Sequence, residues 1–370
     1  PSFTATATTS PEVSNIVVTP TYTNNGIECI GPTETFTITV NPTAQMNDFS
    51  DIEVCNGQVG EINFITLNQG GLTSYIWENT GGVDVGLSST SGSVEDTNPD
   101  LTFTAENQGV DVISTSITVY PTYTNAGETC TGISQEFTIT VNPTTNVTDN
   151  IDDQFIFTGD STTAVTIESI TENTTFTWTA VAETGIQGLE NTSGSTNIIP
   201  SEELTLDADV NTPLDVVYTI TPSAPGDQVC PGNPYTYTVT VNPITGVTFI
   251  DDIVVCHNNS VGPIEFTSTV EGGATTYEWS ASGDNIGLTQ TDDGNGVINL
   301  FTATNTTTTP LVSTITVTPT LTNGGVSSVG DPLTFTITVN PTAQVNEIAS
   351  QVLCNAESTD AVIFTTDNTV

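Results

Sequence analysis

Three arrangements of residues in this chain have types that do chemistry. Cys256 and His257 are adjacent, a pairing that elsewhere makes a thiolate nucleophile and its base. Neighbouring strand residues point to opposite faces, so this pair cannot work as such a couple. Paired carboxylates stand at Asp152-Asp153, Asp251-Asp252 and Asp292-Asp293. Glycoside hydrolysis uses two carboxylates across a cleft, whereas these are sequence neighbours in loops. The third arrangement is a series of hard oxygen ligands: Asn47, Asp48 and Asp51, then Asp149, Asp152 and Asp153, then Asp251 and Asp252. Calcium takes clustered oxygens, which makes Asp48, Asp51, Asp149, Asp152 and Asp153 candidate calcium ligands. The pattern drifts to Asn346 and Glu347 and holds no defined calcium motif. Solvated acidic linkers are therefore the default expectation. No catalytic residue and no cofactor other than calcium is expected.

The six cysteines are the other reactive groups. Cys29, Cys130 and Cys230 each precede an Asn-Pro pair by one fixed spacing, and Cys55, Cys256 and Cys354 each follow one by another. The second kind is missing at Ile156 and the first at Ser328. Two pairings compete. Within a repeat, Cys55 would join Cys130; across a junction, Cys29 would join Cys55 and Cys230 would join Cys256. Bridged Cα atoms lie within about 7 Å, and the first strand of a module starts at the pole of its own final hairpin. Cys55–Cys130 is the preferred pairing on that ground. No CxxC occurs and His257 stands alone, so metal binding by thiolates is not expected.

The elements that position these residues are laid out by repetition. Phe36–Gln45 reads FTITVNPTAQ and Phe335–Gln344 reads the same, with FTITVNPT at Phe137–Thr144 and YTVTVNPI at Tyr237–Ile244 between them. Asn-Pro at Asn41, Asn142, Asn242 and Asn340, Trp at 77, 178 and 279, and Pro at 20, 121, 222 and 319 all agree on a period near 100 residues. Solenoid repeats are far shorter, whereas one β-sandwich fills about this length. The expected organisation is the end of one repeat at 1–42, sandwich repeats at 43–143, 144–243 and 244–341, and the start of another at 342–370. Pro1 opens the chain without Met and Val370 falls in mid-pattern, so a longer protein is expected.

Thr, Val and Ile dominate and period-two alternation is clear, which favours strand over helix. In Thr35–Val40, Phe36, Ile38 and Val40 share one face and threonines the other, and Asn41-Pro42 stops this last strand. Ser116–Tyr120 alternates likewise and is expected to end at Pro121, joined to the last strand by the loop Thr122–Gly132. Tyr75/Trp77, Phe176/Trp178 and Tyr277/Trp279 are i, i+2 pairs and read as core. Asp292–Gly296 reads as a turn.

Composition excludes whole classes of function. The chain has 43 Asp and Glu, one His and no Lys or Arg, a formal charge of −43. Nucleic-acid affinity comes from cations on phosphates, so no nucleic-acid partner is expected. Without Lys there is neither a Schiff base nor a Lys–Asn isopeptide cross-link. No segment reads as a signal peptide, and no apolar run reaches the roughly 20 residues of a membrane helix, so no membrane insertion is expected. Each module is a negative bead that repels its neighbours at low salt.

VCNG opening a module, YxW in its middle, PTYTNxG and Cys-x-Gly near its end, then FTITVNPT, together resemble the PKD-like/immunoglobulin-like repeats of giant surface proteins exported by type IX secretion. The likeness is greatest to the SprB-type gliding-motility adhesins. It implies a non-enzymatic, extracellular, cell-surface filament that attaches to a substratum or surface glycans and is moved by the secretion and motility machinery. A passive stalk, or a glycan-binding array using exposed Tyr22 and Tyr123, is the alternative.

Overall fold

The structure, a computed structural model, describes residues 2, 4–96, 99–148, 151–289 and 296–369. It is all-β, as the alternation predicts, and builds three successive sandwiches with separate cores. Asp149 and the Asp292-Asp293 pair, with most of the turn expected there, lie outside the described residues.

The first sandwich sets the pattern. Its main sheet runs in the order Ile52–Cys55, Gln135–Asn142, Ile113–Asn125, Leu72–Asn79, Ser91–Glu95. A smaller sheet pairs Val59–Asn63 with Asp100–Thr104. The second sandwich repeats the main sheet as Gln154–Phe157, Tyr235–Asn242, Leu214–Ala224, Thr175–Ala182 and Ser193–Gly194. The third has Ile253–Cys256, Leu333–Asn340, Leu311–Asn323 and Ala274–Gly283. In all three the first strand lies parallel to the last, with Cys55 opposite Asn142, Phe157 opposite Asn242 and Cys256 opposite Asn340. A first strand so paired ends at the same pole as the last strand, where the next module begins.

The aromatic pairs are core residues. Trp77, Trp178 and Trp279 and their partners Tyr75, Phe176 and Tyr277 are all buried. Gly92 and Gly194 lie directly across the ladder from Trp77 and Trp178. A Cβ there would come within 2.8 Å of the Trp77 indole and 2.5 Å of the Trp178 indole, so the indole face needs a bare backbone opposite it. Tyr218 and Tyr237 stack at 4.8 Å in the second core, and Phe49 stacks on Phe137 at 5.0 Å in the first.

Pro121 does not end its strand, contrary to the expectation. Ile113–Asn125 runs straight through it, and Glu128–Thr131 pairs back onto Thr122–Asn125. The last strand stops pairing at Val119 and the hairpin ribbon starts at Thr122. Pro121 sits at that change of partner, where its carbonyl accepts the Gly132 N–H at 3.0 Å. A residue's N–H and C=O face the same side of a strand, so the missing proline N–H points into the gap between partners. Pro20, Pro222 and Pro319 accept from Gly31, Gly232 and Gly330 in the same way. The expected loop is thus a projecting two-stranded ribbon. Its tip residues Ala126 and Gly127 both have positive φ, 53° and 87°, as a type I′ turn requires.

Candidate functional site: the junction between modules

The residues with unexplained repetition converge where one sandwich meets the next. Asn41, Asn142 and Asn242 stand at the ends of last strands, and the hairpin ribbon of the following module reaches back to each. Asn41 donates to the Asn125 carbonyl at 3.0 Å, and the Asn125 side chain donates to Asn41 Oδ1 at 2.9 Å. Asn323, at the same hairpin position two modules on, donates to Asn242 Oδ1 at 2.7 Å. Asn242 is fully buried and donates its own amide to the Ile156 carbonyl at 3.0 Å. The ribbon tip is seated closely, because a Cβ on Gly324 would fall inside the Phe155 ring.

The middle junction departs from this. Its ribbon, between Ala224 and Cys230, has no Asn at the tip. Asn142 instead donates to Glu53 Oε1 at 2.7 Å and approaches Cys230 Sγ at 3.6 Å. The Asp227 N–H crosses from the second module to the Glu53 carboxylate at 3.1 and 3.2 Å. Cys55 and Cys230 are bonded, with Cα atoms 5.4 Å apart at a sequence separation of 175. Cys55, Ala224 and Cys230 form a small buried cluster of their own.

This bond corrects the expected Cys55–Cys130 pairing, and it is not the Cys29–Cys55 or Cys230–Cys256 alternative either. Cys130 is a free, half-buried thiol, and Cys29, Cys256 and Cys354 are free and exposed. The expectation failed on direction. The first strand does start at the pole of its own hairpin, but Cys55 is its last residue. The parallel register opposite Asn142 carries it to the far pole, against the next module. Ladder register also places Phe157, not Ile156, at the position of Cys55, because one extra residue separates Asn142 from Asp153.

The acidic candidates have a structural role instead of gathering into a cage. Asp51 Oδ1 accepts the Thr138 N–H at 2.8 Å, Asp153 Oδ1 the Thr238 N–H at 2.7 Å and Asp252 Oδ1 the Thr336 N–H at 2.7 Å. Each clamps the start of a first strand to the middle of a last strand. The Thr336 backbone N–H, ahead of a further hydrogen bond with that residue, holds the Asp252 carboxyl below its ordinary value. Asp48 accepts a long contact from Gln135 Nε2 at 3.4 Å, and Asp152 is exposed. Among the described residues, no group of three His, Cys, Asp or Glu side chains is placed to hold a metal.

His257 is likewise a turn residue. Its Nδ1 accepts the Asn305 N–H at 2.9 Å, as Asn56 Oδ1 accepts the Asn107 N–H at 2.8 Å in the first module. Tyr123, expected as an exposed glycan platform, is fully buried and donates its hydroxyl to the Gln69 carbonyl at 2.9 Å. Burial pushes its pKa up. Tyr22 is 69% exposed. Sequence reasoning missed the ribbon and its asparagines, although Asn25-Gly26 is the strongest two-residue hairpin signal there is.

The PKD-like domain family matches residues 156–245, within the second sandwich and its exit. No curated protein matches the chain. Solved structures similar to it include strings of immunoglobulin and of cadherin domains. They include titin I67–I69 (9% identity, TM-score 0.38, 80% of this chain and 96% of that one). Mouse cadherin-23 EC22–24 has 15% identity and a TM-score of 0.36, over 81% of this chain and 99% of that one. The N-terminal eight immunoglobulin domains of Down syndrome cell adhesion molecule have 9% identity and a TM-score of 0.41, over 90% of this chain and 46% of that one.

Proposed function

We propose that this chain is the load-bearing repeat stalk of an extracellular, cell-surface adhesin, and that the adhesin is a gliding-motility filament of the SprB type. The observation that supports it most is the junction. Each hairpin ribbon clasps the end of the preceding last strand, and in one junction a cystine locks the clasp. Where that cystine is closed, tension passes from Cys55 to Cys230 and bypasses the chain between them. A stalk needs cohesion along its axis, and −43 charges without a single Lys or Arg keep its modules apart and extended. The PKD-like match favours the repeat stalk, and the gliding filament rests on the resemblance of the repeat motifs. The modules serve as scaffold and carry no reaction, while attachment to a substratum or surface glycans and coupling to type IX secretion and motility machinery lie with the wider protein.

The test applies beads coated with antibody against residues 43–341 to live source cells. Beads that bind and travel along the surface support the gliding filament. Beads that bind and stay in place leave a passive stalk, and beads that never bind overturn surface exposure.

A further inference from the structure

The cystine at one junction has counterparts at its neighbours. Hairpin register equates four positions: Cys29 opposite Tyr22, Cys130 opposite Tyr123, Cys230 opposite Ala224 and Ser328 opposite Leu321. First-strand register equates Cys55, Phe157 and Cys256. The bonded pair Cys55–Cys230 therefore has its equivalent, one junction on, in Phe157 and Ser328. Both halves are replaced there together, and an aromatic contact, the Phe155 ring under Gly324, holds the ribbon down. Loss of the two halves as a pair is what a bond between them requires.

Cys130 and Cys256 are single halves. The ribbon that carries Cys130 is already docked, through Asn125 on Asn41, as the ribbon carrying Cys230 is docked on Asn142. Cys256 is exposed beside Asn340, the position Cys55 holds beside Asn142.

We propose that Cys130 and Cys256 are half-sites of the same inter-module cystine, each completed by a repeat of this chain's own type. Cys256 takes the hairpin cysteine of a repeat docked after it, and Cys130 takes the first-strand cysteine of a repeat docked before it. The step is thiol–disulfide exchange with a disulfide oxidant, small-molecule or protein. Two S–H bonds break and one S–S bond forms. The two electrons reduce the oxidant's disulfide, whose sulfurs take up the two protons. The inference stands whether or not the stalk glides.

Two experiments test it. In the 370-residue chain, Phe157→Cys with Ser328→Cys is refolded in glutathione disulfide and mapped without reduction. A protease cutting after Asp and Glu is used, since trypsin has no site here. A 157–328 cystine alongside 55–230, with positions 130 and 256 left as thiols, is the expected result. Cysteines at 157 and 328 that stay reduced in a folded chain, or bond to 130 or 256, overturn the equivalence. Because removing the buried Phe157 ring can cost the fold, the same map is made of the protein as its host produces it. There Cys256 is expected bonded to a hairpin peptide, and Cys130 to a first-strand peptide, from outside residues 1–370. Free thiols at both, or a bond between the two, overturn the proposal.

Discussion

Breaking the Cys55–Cys230 bond should lengthen the protein under load by a calculable amount. When the ends are pulled, force runs along the strand Ile52–Cys55, crosses 5.4 Å of Cα–Cα distance to Cys230 and leaves along Tyr235–Asn242. The residues between, spanning a separation of 175, are off the load path while the bond is closed. At roughly 3.4 Å per extended residue they hide about 600 Å of contour length. In the chain-entropy treatment a loop of this size also stabilises the pair of modules by about 5 kcal/mol. Single-molecule stretching with handles at both termini, with and without a thiol reductant, reads the difference. Reduced molecules should show extra unfolding events adding about 600 Å, and Cys230→Ser should show them without reductant. An added length near 250 Å, the value for a Cys55–Cys130 loop at the same ~3.4 Å per residue, would refute the inter-module path. Identical traces in both states would refute the bond itself.

Four further outcomes follow from the geometry. Gly194→Ala places a methyl 2.5 Å from the Trp178 indole; overpacking of this kind costs about 1–3 kcal/mol, read as a lower Tm and altered Trp fluorescence. Asn242→Ala leaves the Ile156 carbonyl and the Asn323 amide unpartnered; the expected loss is about 1–3 kcal/mol, with the second and third modules unfolding in separate urea transitions where they were coupled. Burial pushes Tyr75 and Tyr218 up to about 12. Their folded values exceed the unfolded one, so their contribution is whole below pH ~10 and is lost as pH rises toward ~12, seen as late, cooperative tyrosinate absorbance. Asp252 has the opposite sign, its depressed value meaning a contribution present at neutral pH and lost as pH falls through the folded value; a carboxyl-carbon NMR titration should find its midpoint below the ordinary Asp value.

The repeat, the all-β class and the aromatic core were legible because each is a local signal. Alternation marks strands, a spacing that recurs along the chain marks a module and an aromatic at i, i+2 marks a buried face. Direction was not local. Whether Ile52–Cys55 lies parallel or antiparallel to Gln135–Asn142 leaves its alternation unchanged, yet it decides which pole holds Cys55. That one unreadable choice turned a bond between modules into an expected bond within one. The acidic linkers misled for a related reason. Asp51 and Asp153 recur because a backbone N–H of the last strand, 87 and 85 residues further along the chain, needs an acceptor, and the sequence marks the recurrence without marking the partner. Tyr123 misled because a ribbon that folds back to the body, with its ring on one face, reads as an exposed loop when the turn at Ala126-Gly127 is overlooked.

The central claim is that consecutive modules are clasped to each other, the hairpin of one on the pole where the first and last strands of the preceding one end. Its covalent form, the Cys55–Cys230 bond between hairpin and first strand, is tested most directly by mapping the unreduced chain after cleavage at Asp and Glu. Residues 54–61, 129–136 and 228–251 then carry Cys55, Cys130 and Cys230 on separate peptides. The account predicts the first peptide bonded to the third, with the second carrying a free thiol. The first bonded to the second would contradict it.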